Sequence, residues 1–228
     1  MGSIRGTFSI TLLCILVLAG IAGVPAIAGT ADHWYLSVAA GGSHRILGSS
    51  IGVDPQAKDG YDSGDGSLPS STIPGILLMC YRENGTAWTG PTGFYGGDIE
   101  HTPVAPGGSK TWPDFYRWAQ NYTPTSADLV GAVAPSFSLP PPVGYRGHLV
   151  LDYVPVSCNW TGPMDIWLND LTAVNTFALP IPVVTDPLQG TQFHIDVYAP
   201  AVPEPSSLAA LVCGFAGVGG VVVRRRRG

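Results

Sequence analysis

The sequence predicts an all-β fold, an antiparallel β-sandwich, and three observations lead to this prediction. Apolar and polar residues alternate in short segments, as at Leu149, Leu151 and Tyr153 and again over 193–197. This alternation places one set of side chains on each face of a strand. Connections that carry proline or glycine separate the segments, and no stretch has the period of a long amphipathic helix.

The first half of the body contains five candidate segments. Residues 33–39 carry aromatic and branched side chains, and 46–53 form a second short segment. The largely apolar run 76–82 is bounded by turn residues, which predicts a buried strand. Residues 98–101 also have strand character, whereas 112–118 could be a strand or one to two helical turns.

The second half is more regular, with predicted strands at 128–139, 145–156, 164–170, 174–179 and 190–198. Pro135 and Pro155 fall inside two of these segments. Because proline cannot donate to a strand ladder, those two strands should be edges, contain bulges, or be shorter than these bounds.

The N-terminus has the pattern of a secretory signal peptide, residues 1–28. Arg5 is the only charged side chain before Asp32, an apolar run covers 8–18, and Ala26-Ile27-Ala28 has the small-x-small form of a cleavage site. A retained N-terminal membrane helix is the alternative.

The C-terminus combines a stiff motif, an apolar run and a basic cluster. Pro203, Glu204 and Pro205 cannot continue a helix, because each proline fixes its φ and restricts the residue before it. The uncharged residues that follow predict a single transmembrane helix over 207–223, roughly 25 Å long. The flanking basic residues favour the cytoplasmic side and are Arg224, Arg225, Arg226 and Arg227.

This arrangement, over 202–227, resembles the PEP-CTERM protein-sorting signal of bacteria. The resemblance implies an exosortase-like sorting enzyme as partner, transient residence in the inner membrane, and delivery to the cell surface or extracellular matrix. It implies no activity for the exported domain, 29–201. An ordinary tail anchor, in which the prolines serve as a linker, is the alternative.

Charge excludes one class of partner for the exported domain. The chain has 11 Lys and Arg and 16 Asp and Glu; removing Arg5, the four tail arginines and Glu204 leaves 6 against 15, a net charge of −9. Such a surface repels nucleic acid and anionic lipid, so neither is expected to bind the body.

Two cysteines remain in the exported domain, Cys80 and Cys158. In an oxidising compartment they could form a disulfide that closes a loop of about 79 residues, with a stabilisation of roughly 4 kcal/mol. Two separate buried thiols are the alternative, because a single pair carries no spacing pattern.

A turn-rich acidic segment offers the clearest set of metal ligands. Asp54, Asp59, Asp62 and Asp65 are interleaved with glycines, and calcium takes oxygen ligands from such segments. The spacing does not match a helix-flanked calcium loop, and the same residues are common in ordinary turns. Calcium is therefore the one cofactor considered.

Catalytic patterns are weak. On a strand, Asp98 and Glu100 would share one face while His101 takes the other, which suits a carboxylate pair that could hydrolyse glycosides, although solvated charge on an edge strand explains it equally well. The string from Gly48 to Gly52 matches a nucleophile elbow, but a turn-rich loop follows it where a helix is required. The scattered histidines lack zinc-site spacing, so we predict no enzyme.

Six tryptophans are many for a chain of this size. Most are expected to fill a core, because large aromatic side chains contribute heavily there. An exposed ring could instead stack on sugar, and Trp88, in a loop rich in glycine and proline, is the expected candidate. Extracellular polysaccharide is therefore a candidate partner.

Part of the body is similar to a module of secreted bacterial proteins with C-terminal sorting tails. The similarity is carried by the strings 52–55, 58–64, 97–99 and 110–112, and it implies an extracytoplasmic β-rich domain without a transferable activity. The sequence thus predicts an exported, surface-sorted, non-enzymatic structural or matrix-associated protein. The alternative is a carbohydrate-binding surface module.

Overall fold

The computed structural model describes residues 30–58, 74–84 and 90–201. The predicted signal peptide, 1–28, and the predicted sorting tail, 202–228, lie outside the described residues, as do Asp59, Asp62, Asp65 and Trp88. Among the residues described, no helix has both the length and the apolar character needed to cross a membrane.

The described chain forms an all-β fold whose only helices are short 3-10 turns. Its strands are β1 (Trp34–Ala40), β2 (Ser49–Val53), β3 (Gly75–Arg82), β4 (Gly93–Tyr95), β5 (Gly97–Glu100), β6 (Ser109–Gln120), β7 (Val130–Pro135), β8 (Arg146–Tyr153), β9 (Asp165–Leu168), β10 (Asn175–Ala178) and β11 (Thr191–Tyr198).

The strands form two sheets, in the orders β10-β7-β1-β2-β5 and β4-β3-β6-β11-β8-β9. All pairs are antiparallel except β2 with β5, which is parallel. The five-stranded sheet is therefore mixed, which corrects the purely antiparallel prediction. The reason lies in the connection: between β2 and β5 the chain crosses to the other sheet to form β3 and β4 before it returns.

One core lies between the two sheets, so the fold is sandwich-like. Trp34 from β1 and Trp112 from β6 are fully buried with edge-to-face rings 5.4 Å apart. Phe115 and Phe193 stack at 5.2 Å on neighbouring strands of the six-stranded sheet. Alternate residues supply this core most regularly in β1, β8 and β11, and for β8 and β11 the period-2 pattern predicted it.

A second apolar cluster lies on the opposite, outer face of the six-stranded sheet. Leu77, Met79 and Trp118 are buried there. Phe94 of β4 packs on Trp118 with ring centroids 5.4 Å apart. The strand β4 was not predicted, since it is only three residues long and lies in a segment dominated by glycine and proline.

The prolines are placed where a missing N–H does least harm to a ladder. Pro135 is the last residue of β7, and Pro155 follows the end of β8, so both strands are shorter than the predicted segments, as expected. Pro113 lies in β6 at a bulge, where two residues oppose His194 of β11. The segment 112–118 is therefore strand, not helix.

Gly52 in β2 is a position of close backbone approach. A Cβ atom added there would lie 2.3 Å from the Trp34 carbonyl oxygen and 2.7 Å from Cδ1 of Tyr35. Since the first clash is with backbone, we expect Gly52→Ala to lower the free energy of unfolding by about 1–3 kcal/mol, measured by urea unfolding. Gly93→Ala is the control, because its Cβ would meet no atom of the described residues closer than 4.0 Å. Equal stabilities of the two variants would contradict this account.

Candidate functional site

The predicted carboxylate pair is found on one face of β5, held by two cations from the other sheet. Arg82 of β3 donates to Asp98 and, at 3.3 Å, to Oε1 of Glu100. Lys110 Nζ of β6 lies 2.9 Å from Oε2 of Glu100. His101 lies after the end of β5 and is exposed. The shared face was predicted, but the two cations were not.

This cluster lies between the sheets, at one end of the core. Asp98 is only 2% exposed, and Ile51, its partner on β2, belongs to the core. Arg82 and Lys110 continue the core-facing positions of β3 and β6. Each carboxylate is thus compensated by a cation, an arrangement that stabilises a charged edge rather than freeing an acid for proton transfer.

The remaining sequence candidates are dispersed. Asp54 accepts hydrogen bonds from the Tyr35 hydroxyl and, at 2.7 Å, from the Gln56 amide. Its three predicted partners in a calcium site lie outside the described residues, so that site stays a prediction. Within the described ranges, no three His, Cys, Asp or Glu residues are placed to hold a metal ion.

The two cysteines are not joined in the structure. Cys80 is buried in β3, with Sγ 3.3 Å from the Tyr95 carbonyl oxygen and 3.2 Å from that of Gly97. Cys158 lies in the 3-10 turn after β8. Three strand spacings, roughly 14 Å, separate β3 from β8, whereas a disulfide requires Cα atoms within about 7 Å.

The string from Gly48 to Gly52 does not form a nucleophile elbow. Ser50 lies inside β2, paired with Ser37 of β1, and its strand continues to Val53. The elbow requires a sharp turn from strand to helix at the serine. Residues 49–52 instead form part of an ordinary strand of mostly small residues.

Histidines in the described part are mostly paired with aspartates, a feature that sequence reasoning missed. His44 Nδ1 lies 2.7 Å from Asp128, and His194 Nδ1 lies 2.7 Å from Asp152. Looser contacts of 3.9 and 3.8 Å join His33 to Asp54 and His148 to Asp165. The partners are distant in sequence, so spacing alone could not reveal them.

Asp128 is the most heavily hydrogen-bonded of these carboxylates. Besides His44, it accepts from the Tyr122 hydroxyl at 2.8 Å and from the amide and hydroxyl of Thr125 at 2.8 and 2.9 Å. Burial opposes its charge, but these hydrogen bonds outweigh burial and hold the pKa of Asp128 well below its usual range.

Arg117, on the core face of β6, binds two connecting segments, the one before β7 and the one after β10. It is fully buried and donates to the carbonyl oxygens of Leu179, at 2.7 Å, and of Asp128. Burial lowers the pKa of Arg117 to about 9. Its position therefore indicates a structural role.

The outer face of the six-stranded sheet also carries a group of polar and aromatic side chains. One row of paired residues crosses four strands of the sheet in the order Thr111, Asp196, His148 and Trp167. Paired residues point to the same side, so these side chains form a continuous strip on the surface.

Trp167 is the dominant ring of this strip. It lies on the edge strand β9 and is 49% exposed. His148 stacks on it at 4.3 Å with an interplanar angle of 11°. Tyr198 contacts it at 5.5 Å, and the Arg146 guanidinium lies 5.8 Å from the ring centroid. We call Trp167, His148, Tyr198 and Arg146 the Trp167 platform.

Carboxylates surround the platform. Asp165 lies on β9 itself, and Asp196 lies in the same row as Trp167. Asp114 and Asp152 lie at irregularities of β6 and β8 that flank β11. Burial, and then the charge of Asp152, raise the pKa of Asp114. The outer face is therefore aromatic at β9 and carries carboxylates on β9, on β11 and on the two strands that flank β11.

The other tryptophans follow the expected pattern in part. Trp34, Trp112 and Trp118 are buried, and Trp160 is partly buried against the core. Trp88 lies outside the described residues, and among the described tryptophans the exposed one is Trp167. A signal for it was present, because Ile166 and Leu168 on either side alternate with it and turn inward.

Comparison of the chain with protein-family models, with curated proteins and with solved structures found no match. The architecture defines the class of the described part as all-β and sandwich-like.

Proposed function

We propose that this chain is an exported, surface-sorted, non-enzymatic protein of the cell surface or extracellular matrix. The observation that carries the proposal is the order of features at the C-terminus: Pro203-Glu204-Pro205, a predicted membrane span at 207–223, and the arginines 224–227. The N-terminal signal pattern over 1–28 supports export. The tail then serves as a removable sorting signal for an exosortase-like enzyme.

The end of the folded domain fits this order of segments. The last strand, β11, ends at Tyr198. The next residues form backbone hydrogen bonds with the loop before β6. The Ala199 amide donates to Gly108 and the Gly107 amide donates to Pro200, both at 3.1 Å.

A non-enzymatic role is supported by the carboxylate cluster. Asp98 and Glu100, the best catalytic candidates in the sequence, are bound by Arg82 and Lys110 across the sheets. Such pairing occupies carboxylate oxygens that a substrate would need. Carbohydrate binding is the second candidate function, favoured by the exposed Trp167.

The sorting proposal is tested by expressing the full chain in a bacterium that has an exosortase and in a strain from which that enzyme is deleted. We expect the enzyme-containing strain to deliver a form that lacks residues 1–28 and the arginines after the span, as measured by intact mass. Pro203→Ala with Pro205→Ala should retain the tail. An identical membrane-bound product in both strains would instead indicate an ordinary tail anchor.

A further inference from the structure

We propose that the Trp167 platform, together with Asp165, is a binding site for neutral pyranose oligosaccharides. The inference develops the second candidate function, carbohydrate binding. It rests on the proposed export only because export determines where the protein meets its ligand. Binding itself depends on the folded domain, so it can be tested apart from sorting.

The platform offers a half-exposed aromatic surface of the kind on which sugar rings pack. Pyranose rings present C–H groups on their faces, and these pack against the electron-rich face of an indole. Trp167 is half exposed although His148 stacks on it and Tyr198 contacts it. Those contacts fix the indole before any ligand arrives, which lowers the entropy that binding must overcome.

Hydrogen-bonding groups stand beside the ring. The Asp165 side chain, 69% exposed, precedes Trp167 by two residues on the same strand and therefore on the same face. Arg146 is exposed and lies 5.8 Å from the indole centroid. A carboxylate that accepts and a guanidinium that donates can together bind adjacent sugar hydroxyls.

Charge selects among sugars. The same face of the sheet carries Asp165 and Asp196 beside the platform and Asp114 and Asp152 farther from it, so a polyuronate would be repelled over most of its length. Arg146 beside the indole disfavours an amino sugar stacked there, because two cations would share one ring. A neutral chain meets neither penalty.

The platform also lies at the edge of the sheet. β9 is the last strand of the six-stranded sheet and is only four residues long. A long glycan could therefore pass over Trp167 without meeting a further strand on that side. The site suits an internal stretch of a polymer as well as a free end.

The test is calorimetry on the full chain, purified in lauryl dimethylamine oxide because a maltoside detergent would itself offer sugar. The three probes are cellohexaose, a glucosamine hexamer and a galacturonate hexamer. We expect saturable binding of cellohexaose, weakened about tenfold or more by Trp167→Ala and less by Trp167→Tyr, which keeps a ring. Arg146→Gln and Asp165→Asn should each weaken binding without removing it.

Phe137→Ala is the matched control, since Phe137 is a fully exposed aromatic residue outside the platform. It should leave the Kd unchanged. Circular dichroism shows whether each variant is folded, and Asp165→Asn carries the test if Trp167→Ala is not. The proposal is overturned by absence of saturable cellohexaose binding, by tighter binding of either charged hexamer, or by folded Trp167 and Asp165 variants that keep the wild-type Kd.

Sorting and binding fail separately. If the protein keeps its tail in the strain that has the enzyme but binds cellohexaose, the sorting proposal is wrong and the binding-site proposal stands. If the protein is processed as expected but binds none of the hexamers, the sorting proposal stands and the binding-site proposal is wrong.

Discussion

Arg82→Met should lower the free energy of unfolding by about 3–5 kcal/mol, because it leaves a buried carboxylate without its cation. Asp98 is 2% exposed and accepts from Arg82, which comes from the opposite sheet. Methionine retains most of the apolar stem of arginine, so the loss of stability reports mainly the missing charge and its hydrogen bonds. Chemical denaturation at pH 7 measures it.

A double-variant cycle separates the ion pair from simple packing. Asp98→Asn removes the buried charge, so Arg82→Met should cost much less in that background than in the wild type. Lys110→Met is the comparison, because its partner Glu100 also contacts Arg82 and keeps a cation. If Arg82→Met costs the same with and without the Asp98 charge, the cluster does not act as described.

Asp128→Asn is expected to destabilise the protein by about 2–4 kcal/mol near neutral pH, since a carboxylate that accepts four hydrogen bonds is replaced by an amide with only one accepting oxygen. The donors from His44, Tyr122 and Thr125 cannot all be satisfied by that amide. Chemical denaturation of the wild type and the variant, analysed as two-state unfolding, gives the difference in their free energies of unfolding.

The same pair of proteins predicts a pH dependence with a definite sign. Hydrogen bonds hold the pKa of Asp128 below its usual value of 3.8, so its contribution is fully present above that pH and is lost as the pH falls through the folded-state pKa. The stability difference between wild type and Asp128→Asn should therefore shrink as the pH falls below about 4. Other carboxyls titrate in both proteins and cancel. A difference that grows on acidification would contradict the assignment.

Much of the fold was predictable because its strands are amphipathic. β8 and β11 alternate cleanly, and their predicted segments contain the observed strands. Sheet order was not predictable, since it depends on pairings between strands far apart in sequence, such as β1 with β7. The parallel pairing of β2 with β5 likewise depends on a crossover that no local pattern records.

The site was predictable only where local geometry suffices. That Asp98 and Glu100 share a face follows from the strand period alone. Their partners Arg82 and Lys110 belong to the opposite sheet, so only the packed structure brings them together. Trp167 could have been found by the same period, because the inward Ile166 and Leu168 leave it facing outward.

The position of β11 has a consequence for how the domain assembles. β11 is the last strand of the body, yet it lies in the middle of the six-stranded sheet, between β6 and β8. Without it, β4-β3-β6 and β8-β9 are two separate pieces with no shared ladder. The sheet is therefore completed only when the last of the described strands is in place, which makes folding dependent on long-range contacts and slow. A chain exported in an unfolded state would gain from this delay, since its native sheet cannot be completed before nearly the whole body is available.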